Sequence, residues 1–121
     1  MHRLDPQRRV AGSGEGHVWE ETIADIEVEV ALPAHARKSN LVVEIGTTSV
    51  SVRCDERQLW GGTLHGRVVP SDSSWAIVEP DPLARIKGRR LLLSLKKAHS
   101  ASDIWATVLD RDFITRQSEG K

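Results

Sequence analysis

The longest uninterrupted alternation of apolar and polar positions runs through His17 to Pro33, HVWEETIADIEVEVALP. Ile26, Val28, Val30 and Leu32 fall on one side, and Asp25, Glu27, Glu29 and Ala31 on the other. This predicts a strand with one buried and one solvated face. At helical spacing the same apolar side chains would scatter around the cylinder, and the β-branched residues favour the extended form. Pro33 stops the strand because it cannot donate in a central ladder. A shorter strand from His17 to Thr22 precedes it, anchored by Trp19 and ended by a turn near Ala24 and Asp25.

The same period recurs in short pieces downstream. LVVEI, Leu41 to Ile45, and SVSVRCD, with Val50, Val52 and Cys54 inward, are joined tightly by Gly46 to Thr48 and read as a hairpin. LWGGTLHGRVV is a glycine-broken strand, in which Gly61, Gly62 and Gly66 suggest a bulge or bend. SWAIVE and RLLLSLKK follow, the latter with Leu91, Leu93 and Leu95 on one side. Between them PDPLARIKGR holds two prolines and a glycine, and reads as an extended loop. The expected architecture is all-β, an antiparallel sandwich of seven or eight strands built outward from the 26–32 strand. Residues 1–16, with the GSGEG run, lack a periodic apolar face and read as a flexible tail, as do 114–121. Near the end, Ser102 either caps a short helical turn or starts an extended piece, and Trp105 plugs the core in both cases.

Composition narrows the class. A chain of 121 residues is one domain's worth, long enough to bury two facing sheets. The formal net charge is zero, so neither nucleic acid nor an anionic membrane is expected as partner. The single cysteine, Cys54, excludes an internal disulfide and suits a reducing, cytoplasmic location. Neither a bilayer-spanning apolar run nor a signal-like leader is visible. His2, His17, His35, His65 and His99 are scattered with one cysteine to help them, so no metal or other cofactor is expected. DSSW lacks the nucleophile elbow, and the carboxylates Asp25, Glu27 and Glu29 are more simply the wet side of a strand. The chain does not read as an enzyme.

Charge is uneven along the sequence. Residues 17–60 hold eight acidic and four basic residues, whereas 61–100 hold three and seven. This is either an ordinary solvated surface or a polarised one that selects a partner. Positive charge gathers at Arg37 and Lys38 in one loop and at Arg85, Lys87, Arg89 and Arg90 in or beside another, and loops carry binding more often than strands do. Trp19, Trp75 and Trp105 sit beside expected core positions. Trp60 follows a turn and precedes two glycines, which suits a recognition surface nearly as well as packing.

HVWEETIADIEVEVALP, LVVEI, the strand around Gly62 and Leu64, DSSWAIVE, and LLLSLKK followed by Trp105 occur in an order that resembles the CS domain, in the form found in the NudC (nuclear distribution protein C) family. The resemblance spans residues 17–113 and implies a p23-like co-chaperone sandwich. It equates Trp19, Trp75 and Trp105 with the family's characteristic tryptophans and Leu32-Pro33 with its strand-ending pair, so that Trp19, Ile26, Val28, Val30, Leu32, Trp75, Leu93 and Trp105 form the expected core. It further implies an ATP-independent co-chaperone or adaptor that binds client proteins or a heat-shock-class chaperone. The alternative is a non-catalytic scaffold in dynein-linked nuclear migration or microtubule-associated complexes. Two departures stand out: the basic loop 80–89 is longer than the family's usual turn, and residues 1–16 are too short for the dimerising coiled coil of the full-length relatives, so a monomer is expected.

Overall fold

The computed structural model describes residues 10–14, 16–98, 105 and 108–112, and consists of two antiparallel sheets packed face to face. The first contains β1 (Val10–Gly14), β2 (His17–Glu21), β3 (Asp25–Ala31), β8 (Arg90–Lys96) and β7 (Ser74–Val78), in the spatial order β1-β2-β3-β8-β7. The second contains β4 (Leu41–Ile45), β5 (Ser49–Cys54), β6 (Arg57–Leu64) and β9 (Leu109–Asp112), in that order. The antiparallel sandwich expected from the periodicity is therefore the architecture. The expected terminal turn at Ser102 lies outside the described residues, as do residues 1–9 and 114–121.

The strand with the longest alternation occupies the middle of the first sheet. β3 pairs with β2 on one side and β8 on the other, with Val28 opposite both Trp19 and Leu93. Its buried phase, Ile26, Val28 and Val30, is fully enclosed, and each such side chain stabilises the fold by about 1.5–3 kcal/mol relative to exposure. Leu91, Leu93 and Leu95 continue this floor on β8, while Val50, Val52, Cys54, Trp60 and Leu64 descend from the second sheet to meet it. Leu32 and Trp75 pack partly buried at the edge of the cluster, and Trp105 is buried within it.

Two details differ from the expectation. Residues 10–14, read as part of a tail, pair with β2 along its whole length, with Gly12 opposite Trp19. A Cβ on Gly12 would stand 2.3 Å from the Trp19 indole, so the glycine leaves the room that lets the large ring lie against this edge strand. The second difference concerns Trp60 on β6, the strand expected to carry a bulge or bend, where the register against β5 does shift between Val52 and Arg53. Val52 pairs with Trp60 and Arg53 with Gln58, which leaves Leu59 as the extra residue of a bulge. The Gln58 amide spans it, donating to Trp60 O at 2.8 Å and Ser51 Oγ at 3.1 Å. Gly61 follows at φ +146°, where a Cβ would meet Val50 O at 2.5 Å, so only glycine fits that close approach. The bulge directs Trp60 into the core, where it is 2% exposed and its ring lies 5.4 Å from that of His17. Trp60 therefore leaves the candidate recognition surface.

Candidate binding surface

Two loops at one end of the sandwich carry most of the basic residues singled out in the sequence. The first leaves β3 at Leu32-Pro33, closes a turn with Ala36 N donating to Pro33 O at 3.0 Å, and tightens into a single 3₁₀ turn at Lys38–Asn40. The second runs from Glu79 to Arg89. Asp81 organises it by accepting from Leu83 N through its side chain (2.9 Å) and from Ala84 N through its carbonyl (3.0 Å), and Gly88 at φ +81° turns the chain back into β8. The prolines at 80 and 82 keep this stretch out of the ladder.

The loops are fastened together. Leu32 N donates to Arg89 O at 3.1 Å, the Arg89 guanidinium donates to Ala36 O, and its Nε lies 3.6 Å from Glu79. Arg37 and Lys38 on one loop and Arg85 and Lys87 on the other are exposed. Arg90 is not part of that exposed set. It is buried, with Nη1 2.9 Å from Glu29 Oε1 and Nη2 3.0 Å from Glu79 O. Its charge is spent on fixing the loop to the sheet, so it is a positioning group for this end of the molecule.

Beneath the 79–89 loop, the outer face of the first sheet forms a groove of about 430 Å³. Glu20, Glu27 and Glu29 line its floor, with Asp81, Leu83 and Arg85 on the loop side. Leu83 stands at the loop tip, 91% exposed. Local sequence gave no reason to select it, since a single leucine among prolines and charges has no periodic partner. The groove has an acidic floor, the exposed Arg85 on its loop side and one apolar projection at Leu83, an arrangement suited to holding a polypeptide surface.

A second cluster lies where the first loop meets the β5–β6 hairpin. Asp55 and Glu56 form the two-residue turn, both at positive φ (50° and 72°), as a tight hairpin following the sheet twist requires. This places Asp55 Oδ2 3.4 Å from His35 Nε2, which in turn lies 3.7 Å from Cys54 Sγ. Asn40 Nδ2 donates to Asp55 Oδ2 at 3.3 Å and to His35 O at 3.2 Å. Burial raises the Cys54 pKa above the ordinary thiol range, and the adjacent Asp55 charge adds to the effect. Among the described residues, these three are the group whose ligand atoms could meet on one ion. No local pattern marks them as a set, because the whole β4–β5 hairpin lies between His35 and Asp55.

A third polar cluster is internal. Glu21 and Lys97 are both fully buried, with Oε2 and Nζ 2.6 Å apart. Lys97 Nζ also donates to Thr22 O at 2.8 Å and lies 5.3 Å from the Trp105 ring centroid, while Trp105 N donates to Glu21 Oε2. The pair joins β2, the end of β8 and the Trp105 segment. Its enclosure gives it a structural part, distinct from the open groove.

Two antiparallel sheets packed face to face, with exposed charge gathered on the end loops, make this an antiparallel β-sandwich domain. The CS domain family model matches residues 15–97, well over half of the chain, and the protein belongs to the CS domain family. The CS domain is a non-catalytic module with co-chaperone or scaffold roles. Among solved structures, the chain is similar to the nuclear movement protein from E. cuniculi GB-M1, with a TM-score of 0.57 and 15% identity over 78% of this chain and 98% of that one. That likeness is one of fold. No curated protein matches the chain.

Proposed function

We propose that this CS domain is a scaffold of the NudC type, which joins an acidic partner to dynein-linked or microtubule-associated complexes through the paired loops at 32–40 and 79–89. The observation that supports this reading is the pair of contacts between Arg89 and Leu32 and Ala36, which fasten two basic loops far apart in sequence to each other. The name of the similar fold, a nuclear movement protein, supports this class of assembly. Arg37, Lys38, Arg85 and Lys87 steer the encounter, and Arg89 holds the loops in place. Solvated charges raise association rates and weaken with salt, so the contact is transient. The domain acts as a cytoplasmic monomer on this reading.

The second reading is a co-chaperone that holds client proteins without ATP, alone or with a heat-shock-class chaperone. Leu83 is the observation in its favour, as an apolar group presented above the groove. A holdase works through larger apolar patches, and the large exposed apolar side chains among the described residues are Leu83 and Val42. This favours the scaffold.

Two measurements made side by side separate the readings. Immobilised wild-type chain is expected to retain dynein-associated proteins from cytosolic extract, and Arg85→Glu/Lys87→Glu to lose them, while neither slows heat aggregation of a model client. Suppression of aggregation at equimolar chain, with no dynein-associated protein retained, would overturn the scaffold in favour of the holdase.

A further inference from the structure

One ligand atom each from His35, Cys54 and Asp55 lies within 4.8 Å of the other two. A tetrahedral zinc ion, with bonds of about 2.3 Å to sulfur and about 2.0 Å to nitrogen and oxygen, holds sulfur and nitrogen ligands about 3.5 Å apart and nitrogen and oxygen ligands about 3.3 Å apart. The corresponding separations here are 3.7 Å and 3.4 Å. Two edges of the ligand triangle are thus close to coordination spacing before any ion is considered, and the exposed Asp55 carboxylate can rotate to close the third. The same imidazole nitrogen faces both the sulfur and the carboxylate, as convergence on one centre requires.

We propose that His35, Cys54 and Asp55 form a three-ligand site for a zinc-class divalent transition metal, with a fourth position open toward solvent. Thiolate and imidazole select this class, whereas magnesium and calcium take oxygen donors. A thiolate and a carboxylate neutralise the dication. Asn40 supplies the outer support, bonding to Asp55 Oδ2 and His35 O while its own Oδ1 accepts from Arg37 N at 2.8 Å. A metal bound here ties the 33–40 loop to the β5–β6 hairpin and fixes the backbone that presents Arg37 and Lys38. The proposal stands on the ligand geometry and does not depend on which partner the loops bind.

The competing description is an exposed His35–Asp55 pair beside an inert thiol. Such a pair contributes little to stability and leaves the thiol unaffected by added metal. Reduced, chelator-treated full chain titrated with Co(II) distinguishes the two by the thiolate-to-cobalt charge-transfer absorption. The expected result is a saturable band at one equivalent, displaced by Zn(II), absent in Cys54→Ser, and shifted to about tenfold or weaker affinity in His35→Ala and Asp55→Ala. Zn(II) should raise the melting temperature of the wild type and leave Cys54→Ser unmoved. His35 and Asp55 side chains are 63% and 59% exposed, so their replacement leaves the core intact, and melting of each metal-free variant verifies this. Absence of the band in the wild type under excess Co(II), or a band whose affinity is unchanged in both His35→Ala and Asp55→Ala, would overturn the site.

Discussion

Replacing Lys97 by methionine tests the internal architecture most severely. In the wild type Lys97 Nζ meets the Glu21 carboxylate at 2.6 Å and Thr22 O at 2.8 Å, with neither charged side chain accessible to solvent. Lys97→Met preserves length and apolar volume but leaves the Glu21 carboxylate in the interior without its lysine counter-ion. Removing one member of a buried pair destabilises by about 3–5 kcal/mol, because the remaining charge is left uncompensated. Against a total of about 5–15 kcal/mol for a domain, that is a large fraction. Neutralising both members removes the stranded charge: Glu21→Gln/Lys97→Met keeps an amide oxygen for Trp105 N and should be more stable than Lys97→Met alone by about 2 kcal/mol. The assay is urea unfolding at neutral pH, followed by tryptophan fluorescence, for the wild type, both single variants and the double variant. A loss under about 1 kcal/mol for Lys97→Met, or strictly additive single effects, would refute the claim that a desolvated, coupled pair holds Trp105 against the sheets.

The tryptophans should separate by burial: Trp60→Ala is expected to cost about 3–5 kcal/mol, and Trp75→Ala, half-buried on edge strand β7, clearly less in the same assay; the reverse order would contradict the packing. Cys54 gives a pH dependence in metal-free protein, since its thiol titrates later in the folded than in the unfolded chain. Above the ordinary thiol range the unfolded state has lost a proton the native state keeps, so stability should fall as pH rises there, and more steeply than in Cys54→Ala; parallel curves would remove the effect.

Much of this arrangement was legible because a strand has a period of two. Parity alone assigned Ile26, Val28 and Val30 to one buried phase and Leu91, Leu93 and Leu95 to another, which lie side by side on the paired strands β3 and β8, and the same parity reaches Glu21 and Lys97. Glu21 shares the phase of Trp19, and Lys97 that of Leu95, so opposite charges on two buried phases were a readable sign of an internal ion pair. β1 was less accessible, because its cause lies across the ladder: Gly12 matters for the space it leaves to Trp19, and a glycine-rich stretch without apolar period looks like a tail. Trp60 turned on a bulge, whose extra residue resets the side on which every following side chain falls. The union of the two basic loops rests on Arg89 reaching Ala36, 53 residues earlier, a distance over which no local pattern speaks. The same limit hid the approach of His35 to Cys54.

The most direct measurement of the recognition surface is fluorescence anisotropy of a labelled glutamate-rich peptide, titrated with wild type and with Arg37→Glu/Lys38→Glu/Arg85→Glu/Lys87→Glu at low and physiological salt. The united loops predict wild-type binding that weakens with salt and falls by about tenfold or more at low salt in the charge-reversed variant, with the melting temperature preserved. Equal affinities for the two folded proteins at both salt concentrations would contradict it.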